Sequence, residues 1–234
     1  MGASLEMKTN FLLAALLAGL ALTGCGTDPQ AGDTQLSLKA GVKLGSLVLN
    51  FAQKPGGQAL DASATATLRA ALEKSGQPIY AVAVGDLGYA NLMAPYGQNS
   101  NVQTWASTSY ETVSMRDGMV VATRGFGPDM MTSVAPAVAQ VAHASGSFQR
   151  SYYYLDGADQ RTVETYDCSF APAGSETVVV LGKPYATRKV IETCTGSDSP
   201  FDNAYWFDGS GKLRQSDQRL APGLKDMRLQ RVID

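Results

Sequence analysis

The sequence predicts an all-β fold, an antiparallel meander curled into an open or partly closed barrel with one short N-terminal helix. Three observations carry this reading. Beyond Gln77 the apolar residues alternate with a period of two. Turns rich in Gly and Asp, above all Asp117-Gly118, punctuate that alternation at close intervals. A sheet of so many short strands has to curl, because twisted open sheets of that size rarely stay flat.

The helix comes first, over 61–74. Leu68, Ala71 and Leu72 recur there at helical spacing, Asp61 or Ser63 can cap it, and Ser75-Gly76 ends it. Ahead of it, 46–51 reads as a first strand. Strands then follow at 79–84, 91–94 and 102–106. The clearest hairpin joins 109–116 to 119–125 through Asp117-Gly118. Its two-residue turn sets Met115 opposite Val120, Val113 opposite Ala122 and Glu111 opposite Arg124, the last an opposite-charge pair. A short helical turn is expected near 134–144.

The pattern then repeats with longer loops. Strands 148–155 and 160–168 flank Asp156-Gly157-Ala158-Asp159, and 176–181 and 185–195 flank Gly182-Lys183-Pro184. The last hairpin, 203–207 with 212–220, turns on Asp208-Gly209-Ser210-Gly211, which places Trp206 opposite Leu213 and Tyr205 opposite Arg214 as a cation–π pair. A strand at 227–232 closes the series.

The N-terminal stretch has a different character. Leu22-Thr23-Gly24-Cys25 looks like a bacterial lipobox: Lys8 supplies a positive start, and 11–22 is an apolar run of signal-peptide length, too short to span a bilayer. Met7 is itself a good signal-peptide start. The resemblance implies a signal peptide over 1–24, acylation of Cys25, a lipidated tether over 25–45 and a single β domain over 46–234. Three acyl chains make a lasting anchor. Gly26, rather than an aspartate, follows the cysteine, and by the sorting logic of lipoproteins this implies transfer to the outer membrane, facing the periplasm. An ordinary cleaved signal with a chance cysteine is the alternative.

Of the 234 residues only 17% are charged, and the formal net charge is −2. A near-neutral, slightly acidic chain is a poor nucleic-acid binder. With Cys25 taken by lipid, Cys168 and Cys194 remain in an oxidising compartment, where a disulfide between them is the economical reading and two buried free thiols the alternative. Such a bond requires their two segments to pair directly or to curl together, since a disulfide needs Cα atoms within about 7 Å.

Two stretches carry a resemblance to a known family. They are Thr104-Trp105 through Arg116-Asp117-Gly118, and Asn203-Ala204-Tyr205-Trp206-Phe207-Asp208 running on to Arg214-Gln215-Ser216-Asp217-Gln218. With the lipobox, they resemble the outer-membrane lipoproteins of group 4 capsule and related exopolysaccharide operons, the YjbF/GfcB type. The resemblance implies a lipid-anchored, all-β periplasmic protein needed to make or export a surface polysaccharide. Its expected partners are the outer membrane and polysaccharide export proteins, the polysaccharide itself, or both. It supplies no catalytic residues, and the disulfide is not inherited from it.

Catalytic chemistry finds little support in the residues. His143 is the only histidine and is expected as a partly buried turn or helix residue rather than a base. No zinc signature, nucleophile elbow or phosphate loop occurs, and no cofactor is expected. Glu111, Glu164, Asp167 and Glu192 could in principle serve a glycan hydrolase, but on alternating strands such acids are expected at solvated outer-face positions. Trp105, Tyr152, Tyr154, Tyr205 and Trp206 are candidate platforms for sugar, with Arg214 and Gln218, expected on one face of one strand, as hydrogen-bonding partners. The two tryptophans read more readily as barrel core than as sugar contacts. An interior of Val, Leu and Met would instead suit an acyl chain or other hydrophobic ligand.

Overall fold

The structure, a computed structural model, describes residues 62–224 and 226–234. Cys25, the signal peptide, the tether and the strand expected at 46–51 lie outside the described residues. Helix α1 (Ala62–Lys74) opens the described chain. The strands are β1 (Ile79–Val84), β2 (Tyr89–Asn99), β3 (Val102–Ala106), β4 (Thr112–Arg116), β5 (Met119–Arg124), β6 (Thr132–Val134), β7 (Ser147–Leu155), β8 (Arg161–Val180), β9 (Lys183–Gly196), β10 (Phe201–Asp208), β11 (Leu213–Gln218) and β12 (Met227–Ile233). A second helix, α2 (Val138–Ala142), lies between β6 and β7. Among the described residues no helix is long and apolar enough to cross a membrane.

All twelve strands form one antiparallel sheet in the order β5-β4-β3-β2-β1-β12-β11-β10-β9-β8-β7-β6. Each strand follows its predecessor around a nearly closed barrel, and the first strand pairs with the last, Val82 opposite Leu229. The seam falls between β5 and β6, which are consecutive in sequence. It is stitched by Thr123 N–H to Met130 O (2.9 Å) and by Ser133 Oγ to Val120 O (3.0 Å).

The inward faces of the strands fill the barrel with Val82, Val84, Met93, Trp105, Val113, Met115, Met227 and Leu229. Both ends are plugged. At one, Leu220 and Ala221 of the β11–β12 connection turn in to join that cluster. At the other, Val141 of α2 is buried in the same cluster as Phe170, Val190, Tyr205 and Phe207. A third cluster lies outside the wall, where Leu68 and Leu72 of α1 pack with Val178, Val180, Trp206 and Val232.

The predicted helix and most strands are present, with informative differences. Strands expected separately at 160–168 and 176–181 are one strand, β8, of 20 residues. A bulge between Pro172 and Ser175 absorbs the extra residues without ending the pairing with β9, and Gly174 supplies the left-handed conformation (φ +85°) inside it. Beyond β7 the β8–β9 pair continues as an arm that folds over the outer wall. Arg69 of α1 latches it, donating to Val180 O and, at 2.9 Å, to Leu181 O, and to Val232 O of β12 at 3.1 Å.

Bulges also correct two registers. At the Asp117-Gly118 turn both residues have positive φ, 52° and 91°, as its type requires, and Met115 does face Val120. A shift after Ser114 then sets Val113 opposite Thr123 and Thr112 opposite Arg124. Glu111 lies outside β4 and bonds Ser107 Oγ and the Tyr89 hydroxyl. In the last hairpin Phe207, not Trp206, faces Leu213, and Tyr205 faces Ser216. Arg214 is the extra residue of that bulge. It stacks on Tyr185 at 4.4 Å instead of on Tyr205. The three-residue β6 was not foreseen, and the helical turn near 134–144 is confined to α2.

Candidate functional site

Period-two alternation turns Arg150 of β7, Glu192 of β9, and Asn203 and Tyr205 of β10 toward one point inside the barrel. Arg150 meets Glu192 in a two-pronged ion pair, Nε to Oε1 at 2.6 Å and Nη2 to Oε2 at 2.9 Å. Both are buried, with relative exposures of 1% and 0%. Glu192 Oε2 also accepts from Tyr205 OH (2.7 Å) and Asn203 Nδ2 (2.8 Å). Tyr205 OH accepts in turn from Arg150 Nη2 at 2.8 Å.

Asn203 extends this network toward the rim, its Oδ1 accepting the Arg219 backbone N–H at 2.8 Å. There Arg219 Nη2 donates to Glu164 Oε2 (3.1 Å), Tyr166 OH (3.2 Å) and Asp198 Oδ2 (3.3 Å). Its guanidinium lies 4.6 Å from the Phe201 ring centre and 5.3 Å from that of Tyr166. The Arg219 clamp holds the start of the connection that plugs this end.

Arg150 and the tyrosines around it are held in their protonated forms. Burial works against charge on Arg150, but Tyr152, Tyr205 and Glu192 hold the guanidinium above its ordinary range. Burial pushes the Tyr152 and Tyr205 hydroxyls up, and those of Tyr154 and Tyr166 likewise. A carboxylate with both oxygens bound in the wall, among hydroxyls that do not ionise, fixes orientation and offers no free base.

The disulfide sits beside this network. Cys168 of β8 and Cys194 of β9 are directly opposite, with Cα atoms 4.1 Å apart and the bond formed. Of the two geometries that such a bond allowed, direct pairing of the segments is the one observed. The two sulfurs and the Glu192 carboxylate lie within 4.8 Å of one another, which resembles a ligand set. It does not fit a metal, because thiolate is the binding form and the disulfide consumes both sulfurs.

Asp226, next to the plug, is pushed up to about 6 by burial and by Asp217 and Asp202, against the pull of Arg219 and Arg228. Its folded-state pKa therefore lies above the unfolded value of about 3.9. Ionisation costs the folded state, so stability is lost as pH rises from about 4 to about 6. Asp226→Asn is expected to raise the urea midpoint at pH 7 and to leave it unchanged near pH 3.5. Equal midpoints at pH 7 would contradict this.

The seven residues singled out for sugar contact do not share a surface. Trp105, Tyr152, Tyr154 and Tyr205 are buried inside, Trp105 edge-on to Tyr80 at 4.7 Å. Gln218 also points inward, accepting from Val120 N–H at 3.0 Å and donating to Gly118 O at 2.8 Å. Trp206 lies on the outer side beneath the arm, its indole N–H donating to Glu176. Arg214, re-aimed by its bulge, leaves the face of Gln218 and pairs with Asp208 (2.6 Å) and Asp234 (2.9 Å), which answers the need of a buried arginine for carboxylates.

Of the acids expected at the surface, Asp167 is exposed, but Glu192 is fully buried. The signal was present, since Glu192 shares its strand face with Val190 and Cys194, and Arg150 shares one with Tyr152 and Tyr154. Opposite charges on two inward faces predict a buried pair. His143 is exposed at the end of α2, not partly buried.

A family model described as "Group 4 capsule polysaccharide lipoprotein gfcB, YjbF" matches residues 46–232. Among solved structures, the chain is similar to the hypothetical lipoprotein YmcC of Escherichia coli K12. The likeness has a TM-score of 0.61 at 15% identity, covering 76% of this chain and 97% of that one, and it shows a shared fold. No curated protein matches the sequence.

Proposed function

The chain belongs to the group 4 capsule polysaccharide lipoprotein family, and on that premise we propose that it is a non-enzymatic accessory factor in capsule or exopolysaccharide assembly or export. In this reading lipid on Cys25 anchors the chain in the outer membrane, and the barrel faces the periplasm. It acts there on polysaccharide export proteins, on the polysaccharide, or on both.

The observation that carries the process is the family match, which reaches from before the first described strand into the last. The absence of enzymatic activity is supported by the interior network, where the strongest acid–base pair, Arg150–Glu192, is bound up in the wall. The order of Lys8, the apolar run and Leu22-Thr23-Gly24-Cys25 supports the anchor.

Substitution of Cys25 by Ser in the native host tests the reading. The variant is expected to leave the outer-membrane fraction, and surface polysaccharide to fall with it. Intact mass of the wild-type protein should carry the added acyl groups. Normal surface polysaccharide in a strain lacking the protein would overturn the assignment of process, and a bare Cys25 thiol would overturn the anchor.

A further inference from the structure

The two ends of the barrel carry opposite charge. In an antiparallel meander, odd-to-even connections all fall at one end and even-to-odd connections at the other. The rim formed by the odd-to-even set has six loops, and each carries a carboxylate: Asp86, Glu111, Asp129, Asp156, Asp198 and Asp226. Asp129 accepts the Gly125 and Phe126 backbone N–H groups, and Asp156 those of Ala158 and Gln160. Among the described residues no ion pair neutralises either carboxylate, and bonds to backbone amides leave its charge in place.

The opposite end, here the base, gathers cations. The described lysines, Lys74, Lys183, Lys189 and Lys212, all lie in its half of the molecule, with Arg188 and Arg231. Several rest on rings rather than on acids: Lys183 Nζ is 5.4 Å from the Tyr185 ring centre, and the guanidinium of Arg188 is 4.8 Å from that of Phe207 and that of Arg231 4.9 Å from that of Tyr80. A cation on a ring keeps its full charge. Most acids at this end are committed, Glu73 to Arg69, Glu176 to Lys189, Asp208 to Arg214, and Asp234 to Arg214 and Lys212, with Asp117 exposed in the β4–β5 turn.

The base is also where the described chain begins. Helix α1 starts at Ala62, and Thr65 one turn later lies beneath Gly182 at the tip of the arm. The chain leading back to Cys25 therefore departs from the cationic end. We propose that the base is a membrane-facing surface: it lies on anionic phospholipid, and the acidic rim points away from the bilayer. This rests on the lipid anchor of the preceding section. Tethering alone would leave the barrel free to tumble, whereas cations within a Debye length of an anionic surface select one orientation.

The test is amine footprinting of the full-length protein purified from membranes and reconstituted into vesicles of phosphatidylethanolamine with or without phosphatidylglycerol. Acetylation of Lys183 and Lys212 is expected to slow by about fivefold when phosphatidylglycerol is present and to recover in high salt. The charge-reversed variant Lys74→Glu/Lys183→Glu, altered at two exposed positions, should lose the lipid dependence at Lys189 and Lys212. Equal rates on both vesicle types would overturn the inference. So would protection by soluble polygalacturonate in place of vesicles, which would assign the base to an acidic glycan. A bare Cys25 in the intact mass would count against the anchor, whereas equal rates with lipid present on Cys25 would count against the membrane-facing base alone.

Discussion

Glu192→Ala is expected to lower the unfolding free energy by about 3–5 kcal/mol, because it leaves the Arg150 guanidinium buried and without its counter-charge. The surroundings allow no easy relief. Arg150 is enclosed with Tyr152 and Tyr205, and the hydroxyl of Tyr205 loses the oxygen to which it donates. Removing both charges should be milder. Arg150→Met/Glu192→Gln removes both charges and keeps a side-chain oxygen as acceptor for the Tyr205 hydroxyl and the Asn203 amide, leaving mainly the new amide N–H groups in want of acceptors, a cost of about 1–3 kcal/mol. Urea denaturation of the single and double variants checks this. A double variant as unstable as Glu192→Ala would show that the pair contributes net stability beyond mutual neutralisation.

The second large effect is expected from Cys168→Ala/Cys194→Ala. The bond closes a loop of sequence separation 26, and on the chain-entropy account its loss costs about 3–4 kcal/mol, chiefly by freeing the unfolded chain. The same change should steepen the dependence on urea, since an uncrosslinked unfolded state exposes more surface. A loss below about 1 kcal/mol with an unchanged slope would mean that the β8–β9 pairing survives in the unfolded ensemble and constrains it without the bond.

The sequence announced the barrel because its two strongest signals are local. Strict alternation in Ile79–Val84 and the Asp-Gly turn at 117–118 need no distant partner to be read. What escaped depended on events between strands. Three bulges, at Val121 of β5, between Pro172 and Ser175 of β8 and at Arg214, each slip the register, and the periodicity of a single strand does not show how its neighbour takes up the extra residue. The stretch between 168 and 176 read as a gap between two strands, and it is the bulged middle of one, with Gly174 at its bend. The same slip separated Arg214 from Gln218 and so divided the residues grouped for sugar contact. Glu192 escaped for a different reason. Charge on a strand usually means solvent, and only pairing it with Arg150, 42 positions away, reveals the compensation that lets it be inside.

The pairing of β1 with β12 has a consequence for biogenesis. Every other ladder joins neighbours in the sequence, but this one joins Val82 to Leu229. As the polypeptide emerges N-terminus first, it can build two sheets in succession, yet the ring stays open until its final strand is free. The entropic cost of that last closure is on the order of 4 kcal/mol. The chain is thereby kept from locking into its compact form before synthesis ends, and truncation just before Met227 would strand it as an unclosed ribbon with two bare edges, the form most prone to aggregate.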